Sequence, residues 1–329
     1  MKILLRTLLV LAIIVLGLAT YVNLVYDKNF KDTPYPDVKA SKDSAVIARG
    51  KYLVFGPAHC AVCHVNVGQD QEVDAGKELP LIGGFEIHLP IGTLRTRNLT
   101  SDKETGIGAL TDAQIARMLR YNVKHDDIAA IPLMPFQETS EEDIVAIISY
   151  LRTMPPVRHE VKPTEYNFIG KIVKTFILKP SMPTNKPPQM IHKDTSVEYG
   201  KYLAMSVSNC YGCHTDRNLK TGEFTGKPFA GGLGFPPVPE DLNYGFVTPN
   251  LTPDRETGRM ADWNEEAFIK RFRAGRLKKG SPMPWGPFSR MDESDLKAIY
   301  RYLQTVTAVK NAVEKTVYAP GEKMPEPKS

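Results

Sequence analysis

The strongest constraint on the fold is an internal repeat. Residues 50–53, Gly-Lys-Tyr-Leu, recur 150 positions later at 200–203, and the block at 98–106 recurs 152 positions later at 250–258. A repeat with such a long period indicates that one folded unit occurs twice. At 329 residues the chain is long enough for two domains of ordinary size. We therefore expect two tandem domains of one fold rather than a single large core.

Apolar spacing predicts helices in both halves. Each half ends in a stripe at i, i+3, i+4 and i+7, which begins at Ile144 in the first half and at Leu296 in the second. Another helix precedes each cysteine pair and contains Gly50 or Gly200, where we expect a second helix to cross closely. No period-two pattern is sustained, so the expected fold class is all-α.

All four cysteines occur in pairs, and a histidine directly follows each pair. The two C-x-x-C-H motifs comprise Cys60, Cys63 and His64, and Cys210, Cys213 and His214. On a helical turn, residues i and i+3 share a face, so both sulfurs can reach the vinyl groups of one porphyrin. The histidine then lies under the iron. This spacing is typical of c-type haem attachment, and we predict two covalently bound haem c groups with His64 and His214 as iron ligands.

Other uses of paired cysteines fit the sequence less well. A structural zinc site needs four ligands, which would have to come from two distant pairs. A thioredoxin-type redox pair is expected beside a βαβ pattern, which the sequence lacks. A disulfide between residues i and i+3 would be strained. Haem attachment is therefore the preferred prediction.

Two methionines occupy equivalent places in the halves and are the predicted sixth iron ligands. Met134 lies 70 positions after His64, Met283 lies 69 after His214, and a proline follows each methionine. Proline stiffens the loop, and a thioether is a common partner of histidine in cytochromes. Residues without this symmetry remain as alternatives, namely Met118, His88, His125, Met260 and Met291.

An apolar stretch near the N-terminus predicts a membrane segment. Residues 7–26 carry no charge, whereas Lys2 and Arg6 precede them. Twenty such residues can cross a bilayer, and the positive-inside rule places the remainder of the chain on the periplasmic side. The sequence favours an uncleaved, single-pass anchor at 1–27 in the cytoplasmic membrane, with a signal peptide as the alternative.

The remaining boundaries follow from the repeat and from the prolines. We expect a first domain at 43–154, a Pro-rich strap at 155–194, a second domain at 195–310 and a polar tail at 311–329, disordered from residue 315. The strap contains a short amphipathic helix with one apolar face, formed by Phe168, Ile169, Ile172, Val173, Phe176 and Ile177. We expect this face to cover the side of a domain, and the alternative is contact with the membrane surface.

Basic residues give less specific predictions. Arg95 and Arg97 precede Asn98 and could pair with a haem propionate, although the second half has no counterpart. The run of basic residues at 270–279 is a solvated face or, alternatively, a docking patch for an acidic redox partner. The net charge of +5 is too diffuse to indicate nucleic-acid binding.

Together these motifs resemble class I cytochrome c domains of the membrane-bound cytochrome subunits of periplasmic alcohol and gluconate dehydrogenases. C-x-x-C-H, Asn-Leu-Thr-x-Asp-x-Glu-Thr-Gly, Met-Pro and a final Tyr-Leu helix all occur twice between residues 43 and 309. The resemblance implies an electron carrier without catalysis of its own. Its donor would be a dehydrogenase or a quinol-side protein, and its acceptor a terminal oxidase or a soluble cytochrome of the respiratory chain.

One departure and one alternative accompany the resemblance. Those subunits usually carry three attachment motifs, and this sequence has two. The alternative is a dihaem cytochrome c peroxidase, which also has two motifs in a chain of similar length. A peroxidase needs an open iron position, whereas both halves here keep the methionine before proline. The sequence therefore favours the electron carrier.

Overall fold

The computed structural model describes residues 2–218, 222–237 and 244–325, which are mostly helical. The first half contains α1 (Lys2–Val25), α2 (Ser44–Phe55), α3 (Cys60–His64), α4 (Asp70–Asp74), α5 (Asp112–Tyr121) and α6 (Glu141–Thr153). The connecting segment contains α7 (Phe168–Phe176). The second half contains α8 (Val197–Tyr202), which continues as a π-helical turn (Leu203–Val207), then α9 (Cys210–Cys213), α10 (Arg259–Asp262), α11 (Glu265–Arg273), α12 (Trp285–Ser289) and α13 (Glu293–Thr305).

Two small antiparallel sheets accompany the helices in the described part of the chain. The first has the order β1 (Glu86–Leu89), β2 (Gly92–Arg95) and β3 (Glu165–Tyr166), and the second has the order β4 (Gly234–Phe235), β5 (Gly245–Val247) and β6 (Val317–Tyr318). In the first sheet Glu86 pairs with Arg95. The all-α prediction is right in its helical content and misses these sheets, because strands this short cannot sustain a period-two pattern.

The end of the chain differs from the sequence-based expectation in one respect. The strand β6 lies inside the predicted tail and pairs with β5, so Val317 and Tyr318 are ordered there. The tail therefore contributes to the second sheet, and the prediction of disorder from residue 315 is wrong for this strand. The last predicted tail residues, 326–329, lie outside the described residues.

Helix pairing repeats the internal symmetry of the sequence. The helix α2 packs against α6 in the first half, and α8 packs against α13 in the second. Gly50 and Gly200 lie at the two crossings, where an added Cβ would overlap backbone atoms of Ala146 or Ala298. The predicted reason for a glycine in each helix is confirmed.

The predicted apolar stripes form the core. Ile144 and Leu151 of α6 are buried, as are Leu296 and Leu303 of α13. One continuous cluster of buried apolar residues extends through both halves. The two repeats therefore share a core instead of forming separate ones.

Two tyrosines join the halves reciprocally. The Tyr52 hydroxyl donates to Asp295 Oδ2 at 2.6 Å, next to the start of α13, and accepts from the backbone N of Asp292 at 2.9 Å. The Tyr202 hydroxyl donates to Asp143 Oδ2 at 2.7 Å, next to the start of α6. Burial, followed by the adjacent carboxylate, raises the pKa of both phenols. Each half thus caps the last helix of the other with a protonated phenol.

The segment that follows α1 is fastened to the first half. The buried guanidinium of Arg117 donates to the Phe30 carbonyl and to the Tyr35 hydroxyl, both at 2.8 Å, and pairs with Asp127 at 2.6 Å. The backbone N of Ala40 donates to a carboxylate oxygen of Asp112 at 2.7 Å. The connection between α1 and the first half is therefore a docked segment rather than a loose linker.

The helix α1 itself has the length and composition of a membrane span. Its apolar window has a mean hydropathy of 2.6, and only 6% of that window is buried against the protein. A signal sequence near the N-terminus would meet the same criterion. The coarse prediction of one exposed apolar N-terminal helix is confirmed.

The helix α7 lies in the predicted strap but is turned the opposite way. Its buried residues are Gly170, Lys174 and Thr175. Four residues of its apolar face are exposed, with Phe168 at 47%, Ile169 at 58%, Phe176 at 52% and Ile177 at 55%, whereas Ile172 and Val173 on the same face are partly buried. The expectation that the apolar face covers a domain is therefore wrong for these four residues.

Candidate haem-binding sites

Each C-x-x-C-H motif forms a single helical turn. The helix α3 contains Cys60 to His64, and α9 contains Cys210 to Cys213 with His214 directly after it. The residue before each turn has a left-handed backbone, with φ 42° at His59 and 50° at Asn209. Both motifs therefore have the same local geometry, and each turn sets its two cysteines three residues apart on one face, as predicted.

The four predicted attachment cysteines are free thiols. Burial raises the pKa of Cys60 and of Cys210 to about 12, raises that of Cys63 to about 11, and also raises that of Cys213. No group of three or more His, Cys, Asp or Glu side chains within the described residues could hold a metal ion. That part of the chain therefore shows no four-ligand set of the kind that a structural zinc site needs.

A backbone carbonyl orients each histidine. His64 Nδ1 lies 2.8 Å from the carbonyl oxygen of Arg97, and His214 Nδ1 lies 3.1 Å from that of Pro249. A proton on Nδ1 that is donated to the carbonyl leaves Nε2 free to bind iron. Burial lowers the pKa of both imidazoles, to about 4 for His214, so they are neutral near pH 7. Both histidines thus fit the role of a haem iron ligand.

The repeated block at 98–106 and 250–258 holds these carbonyls in place. Asn98 is buried, and its side-chain amide donates to the Val157 carbonyl at 2.9 Å and to Thr105 Oγ1 at 3.1 Å. Asn250 makes the equivalent bonds to Val309 and Thr257. Sequence reasoning identified this block as a repeat but missed its role. The block positions the carbonyl of the residue before each asparagine, Arg97 or Pro249, next to Nδ1 of the histidine.

Both predicted methionine ligands lie at the edge of the core. Met134 and Met283 are partly buried and pack against the apolar cluster. The Met134 carbonyl accepts from Gln137 Nε2 at 3.0 Å, and the Met283 carbonyl accepts from the backbone N of Trp285 at 2.7 Å. These bonds fix two equivalent loops, and iron ligation by the two thioethers stays a prediction.

The alternative ligands have other surroundings. Met260 and Met291 are each only 1% exposed and fill the core, as expected for methionines without a partner in the other half. Met118 is partly buried on α5. His88 and His125 are exposed, and His88 Nδ1 contacts Thr93 Oγ1 at 3.2 Å. Their positions give no reason to prefer them to Met134 or Met283.

The basic residues singled out from the sequence are partly used inside the protein. Arg95 donates to Glu86 at 2.6 Å and to Glu165 at 2.9 Å, so part of its guanidinium is engaged within the protein. Arg97 donates to the Val161 carbonyl at 3.4 Å. Pairing of either arginine with a haem propionate stays a prediction.

The run at 270–279 is also partly engaged. Arg276 pairs with Asp74 in the other half of the chain. The guanidinium of Arg271 lies 3.5 Å from the centre of the Trp285 ring. These two contacts leave only part of the run for an external partner, and docking there stays a prediction.

Aromatic rings connect the first attachment turn with the loop of the second methionine. The His59 ring lies 5.4 Å from that of Phe288, centre to centre, and Phe288 lies 6.2 Å from Phe272. Phe272 in turn lies 5.7 Å from Trp285, two residues after Met283. The residue before Cys60 and the loop around Met283 are therefore neighbours across the boundary between the halves.

Two one-turn C-x-x-C-H helices with oriented histidines fit the geometry expected for c-type haem attachment, and the chain is similar in sequence to known cytochrome c proteins. The chain is 26% identical over 302 residues to the fructose dehydrogenase cytochrome subunit of Gluconobacter japonicus, covering 88% of this chain and 58% of that protein. It is 27% identical over 285 residues to the cytochrome c subunit of the quinone alcohol dehydrogenase of Gluconobacter oxydans, covering 81% and 56%. It is 25% identical over 265 residues to a diheme cytochrome c-type protein of Cereibacter sphaeroides, covering 78% and 84%. No family model matches the chain.

These homologues confirm the resemblance inferred from the motifs. They are cytochrome c subunits of dehydrogenases and a dihaem cytochrome c, which supports an electron carrier rather than an enzyme. The chain spans 58% and 56% of the length of the two dehydrogenase subunits. The dihaem homologue, of which it covers 84%, is the one that supports a count of two haem groups.

Proposed function

We propose that this chain is a membrane-anchored dihaem c-type cytochrome that carries electrons between a periplasmic dehydrogenase, or another donor, and the respiratory chain. Cys60 and Cys63 would attach one haem, and Cys210 and Cys213 the other. The observation that carries the proposal is the duplicated bond from histidine Nδ1 to a backbone carbonyl, at 2.8 and 3.1 Å. A ligand role for Nε2 accounts for the presence of the same bond in both motifs.

The residues of the chain have separable tasks in this function. Bound haem would supply one-electron chemistry at its iron. The carbonyls of Arg97 and Pro249 fix the tautomer of the two histidines. Met134 and Met283 would each offer a neutral thioether, which favours ferrous iron and raises the reduction potential. The protein thus sets the potentials through ligand identity and burial.

The ring contacts support transfer within the molecule. His59, which precedes the first attachment turn, contacts Phe288, and Phe288 contacts Phe272 near the loop of Met283. This proximity supports the proposal that an electron entering at one haem passes to the other within the chain. The two dehydrogenase subunits to which the chain is similar support a dehydrogenase as the proposed donor. A terminal oxidase or a soluble cytochrome is the proposed acceptor.

The decisive experiment measures haem attachment and ligation together. The full chain is produced in a host that matures c-type cytochromes, and its mass and pyridine haemochrome spectrum are recorded. We expect two covalent haem groups, both low-spin when oxidised, with the near-infrared band of methionine-ligated iron. The matched variant C60S/C63S should retain only the haem of the second half.

Two results would contradict the proposal. An intact chain that carries no covalent haem would remove the cytochrome assignment. A high-spin haem in the oxidised native protein would indicate an open iron position, and the dihaem peroxidase would then be the better interpretation.

A further inference from the structure

The helix α7 buries its polar side and exposes its apolar side. With 3.6 residues per turn, six apolar residues fall on one half of the helix circumference, namely Phe168, Ile169, Ile172, Val173, Phe176 and Ile177, the residue just after α7. Four of these side chains, Phe168, Ile169, Phe176 and Ile177, are 47–58% exposed, and Ile172 and Val173 are partly buried. On the other side Lys174 is 5% exposed and Thr175 is fully buried. In water this arrangement is unfavourable, because apolar side chains are placed in solvent and an ammonium group is buried. It suits a helix whose outer face meets lipid.

Specific contacts hold the polar side of α7 in place. Lys174 pairs with Asp27 and lies 4.4 Å from the centre of the Tyr166 ring. The Asn167 side chain accepts from Gly170 N and donates to the Pro90 carbonyl, which joins the start of α7 to the turn between β1 and β2. The ion pair with Asp27, the Asn167 cap and the bond to the β1–β2 turn together hold the polar side of α7 against the first half. The orientation of α7 is therefore part of the fold of that half.

The exposed side of α7 lies beside the end of the candidate membrane span. The Phe176 ring is 6.4 Å from that of Tyr21, and Lys171 Nζ donates to Asn23 Oδ1 at 2.7 Å. Tyr21 precedes the last residue of α1 by about one turn, or about 6 Å along the helix. The C-terminal end of α7 therefore lies beside Tyr21, about one turn inside the C-terminal end of α1. At this level the apolar residues of the span would enter the bilayer.

We propose that the exposed face of α7 inserts into the interfacial layer of the bilayer that α1 spans, so that the first half rests on the membrane in one fixed orientation. This proposal depends on the membrane anchoring in the proposed function. The occupant is lipid rather than a protein partner because the face is continuous with α1, whose Leu24 is 78% exposed at the same end. Aromatic and lysine side chains around α7 have the composition of interfacial anchors.

Site-directed spin labelling of the full, haem-loaded chain in phospholipid vesicles tests the insertion. The native cysteines are consumed by haem, so one introduced cysteine carries the nitroxide. We would label I177C on the exposed face of α7 and M190C as a matched control. Met190 is also apolar, lies in the same connecting segment and is 69% exposed. Accessibility to oxygen, which partitions into lipid, is compared with accessibility to a water-soluble nickel chelate.

We expect the oxygen-to-nickel accessibility ratio at I177C to exceed that at M190C several-fold, and F168C on the same face to behave like I177C. Because both reagents report on the same label, relaxation caused by the haem irons affects the two readings alike. Each variant must retain two haem groups and the native spectrum, which shows that it has folded. Equal ratios at I177C and M190C would overturn the proposal, as would a label at I177C that neither reagent reaches, since that result indicates a protein contact.

A fourth label separates this proposal from the one on which it rests. L11C lies in the middle of α1 and should give the highest oxygen-to-nickel ratio if α1 spans the bilayer. A lipid-like reading at L11C with a water-like reading at I177C would reject the insertion of α7 alone. A water-like reading at L11C would reject membrane anchoring. Spin label found by mass spectrometry on the native cysteines would reject haem attachment.

Discussion

The bonds from His64 and His214 to main-chain carbonyls decide which ring nitrogen each histidine presents. Because the acceptors are main-chain atoms, the side chain at the acceptor position is free to vary, and the two halves have Arg97 and Pro249 there. This freedom explains why the second half has no counterpart of the arginine pair. What the two halves share is a turn held by a buried asparagine, Asn98 in the first and Asn250 in the second.

Replacing Met134 by alanine should change the first haem only. Covalent attachment does not depend on the thioether, so both haem groups should remain. The first haem should become high-spin or water-ligated, and its potential should fall by a substantial part of the roughly 0.8 V range that axial ligands span. M283A should have the same effect on the second haem. Optical spectra and a redox titration measure both changes.

Substituting other methionines provides the control for this experiment. M118A and M291L should keep both low-spin spectra and both potentials, although M291L alters a buried position. An M134A variant with the native spectrum would show that this methionine is only a packing residue. The search would then move to Met118 and His125 in the first half, or to Met260 and Met291 for the corresponding result in the second.

Tyr52 and Tyr202 should make the protein sensitive to alkali. Burial and the adjacent carboxylates raise the pKa of both phenols above the ordinary value of 10.0. Above about pH 10 the unfolded chain releases these protons while the folded chain keeps them. The free energy of unfolding should therefore fall as pH rises, by up to about 1.4 kcal/mol per pH unit for each tyrosine. Denaturant titrations between pH 8 and 11.5 measure this slope.

Y52F and Y202F test the origin of the slope. Each variant should lose about 1–3 kcal/mol at pH 8, because a buried carboxylate loses a donor. Above pH 10 each should show a shallower dependence than the native chain. Y318F provides a comparison, since Tyr318 is only partly buried and lies on β6, away from this interface. Identical slopes for all variants would mean that the interface tyrosines do not cause the effect.

The sequence predicted the site wherever the chemistry is local. A C-x-x-C-H motif contains both cysteines and a histidine within one turn, so the spacing alone predicts Cys60 and Cys210 as attachment residues. The carbonyl partners lie more than thirty residues further along the chain, and only the folded turn brings these carbonyls within hydrogen-bond distance of each histidine Nδ1. Likewise, nothing adjacent in sequence reveals that Glu165 engages Arg95.

At the scale of secondary structure, the two glycine crossings should be the least tolerant positions in their helices. G50A would gain helix propensity of about 1 kcal/mol but would force a Cβ against the Ala146 carbonyl. Overpacking against backbone costs typically about 1–3 kcal/mol and can exceed the gain. We expect G50A and G200A to lower the free energy of unfolding, as measured by chemical denaturation followed by circular dichroism.

The matched control is G17A. Gly17 also lies within a helix, and an added Cβ there meets no atom within 4 Å. This variant should be neutral or slightly stabilising. Equal stability of G50A and G17A would show that the helices at the crossing can separate at little cost.

The secondary structure was predictable to the extent that it is periodic. The long apolar stripes of α6 and α13 identified those helices and their buried faces. The strands β3 and β6 have two residues each, which is too few for any period. For α7 the pattern correctly located an apolar face, yet periodicity cannot say whether that face meets protein or lipid. The polar side of α7 faces the protein because Lys174 contacts Asp27 and Tyr166. Neither residue belongs to the helix, so its apolar pattern could not reveal these contacts.

At the scale of the whole molecule, the behaviour of α1 can be tested directly. The native chain should remain in the membrane fraction through high-salt washing and keep its N-terminus, because the span is apolar rather than electrostatically bound. Replacing residues 1–26 with a cleavable export signal should release a protein that still carries both haem groups. Fractionation, N-terminal sequencing and haem staining give the result. A native chain that is processed and released by salt would contradict the anchor.

The reciprocal contacts of Tyr52 and Tyr202 have a consequence for assembly. Each repeat contacts the other through the same surface, which contains Tyr52 and Asp143 in the first repeat and Tyr202 and Asp295 in the second. An isologous homodimer has the same arrangement. Here a covalent tether joins the two partners, so their association is intramolecular and occurs at an effective concentration on the order of millimolar. Dilution cannot separate the pair, and the self-complementary patch is already occupied. Two electron-carrying units would therefore keep a constant spacing however scarce the protein is in the cell.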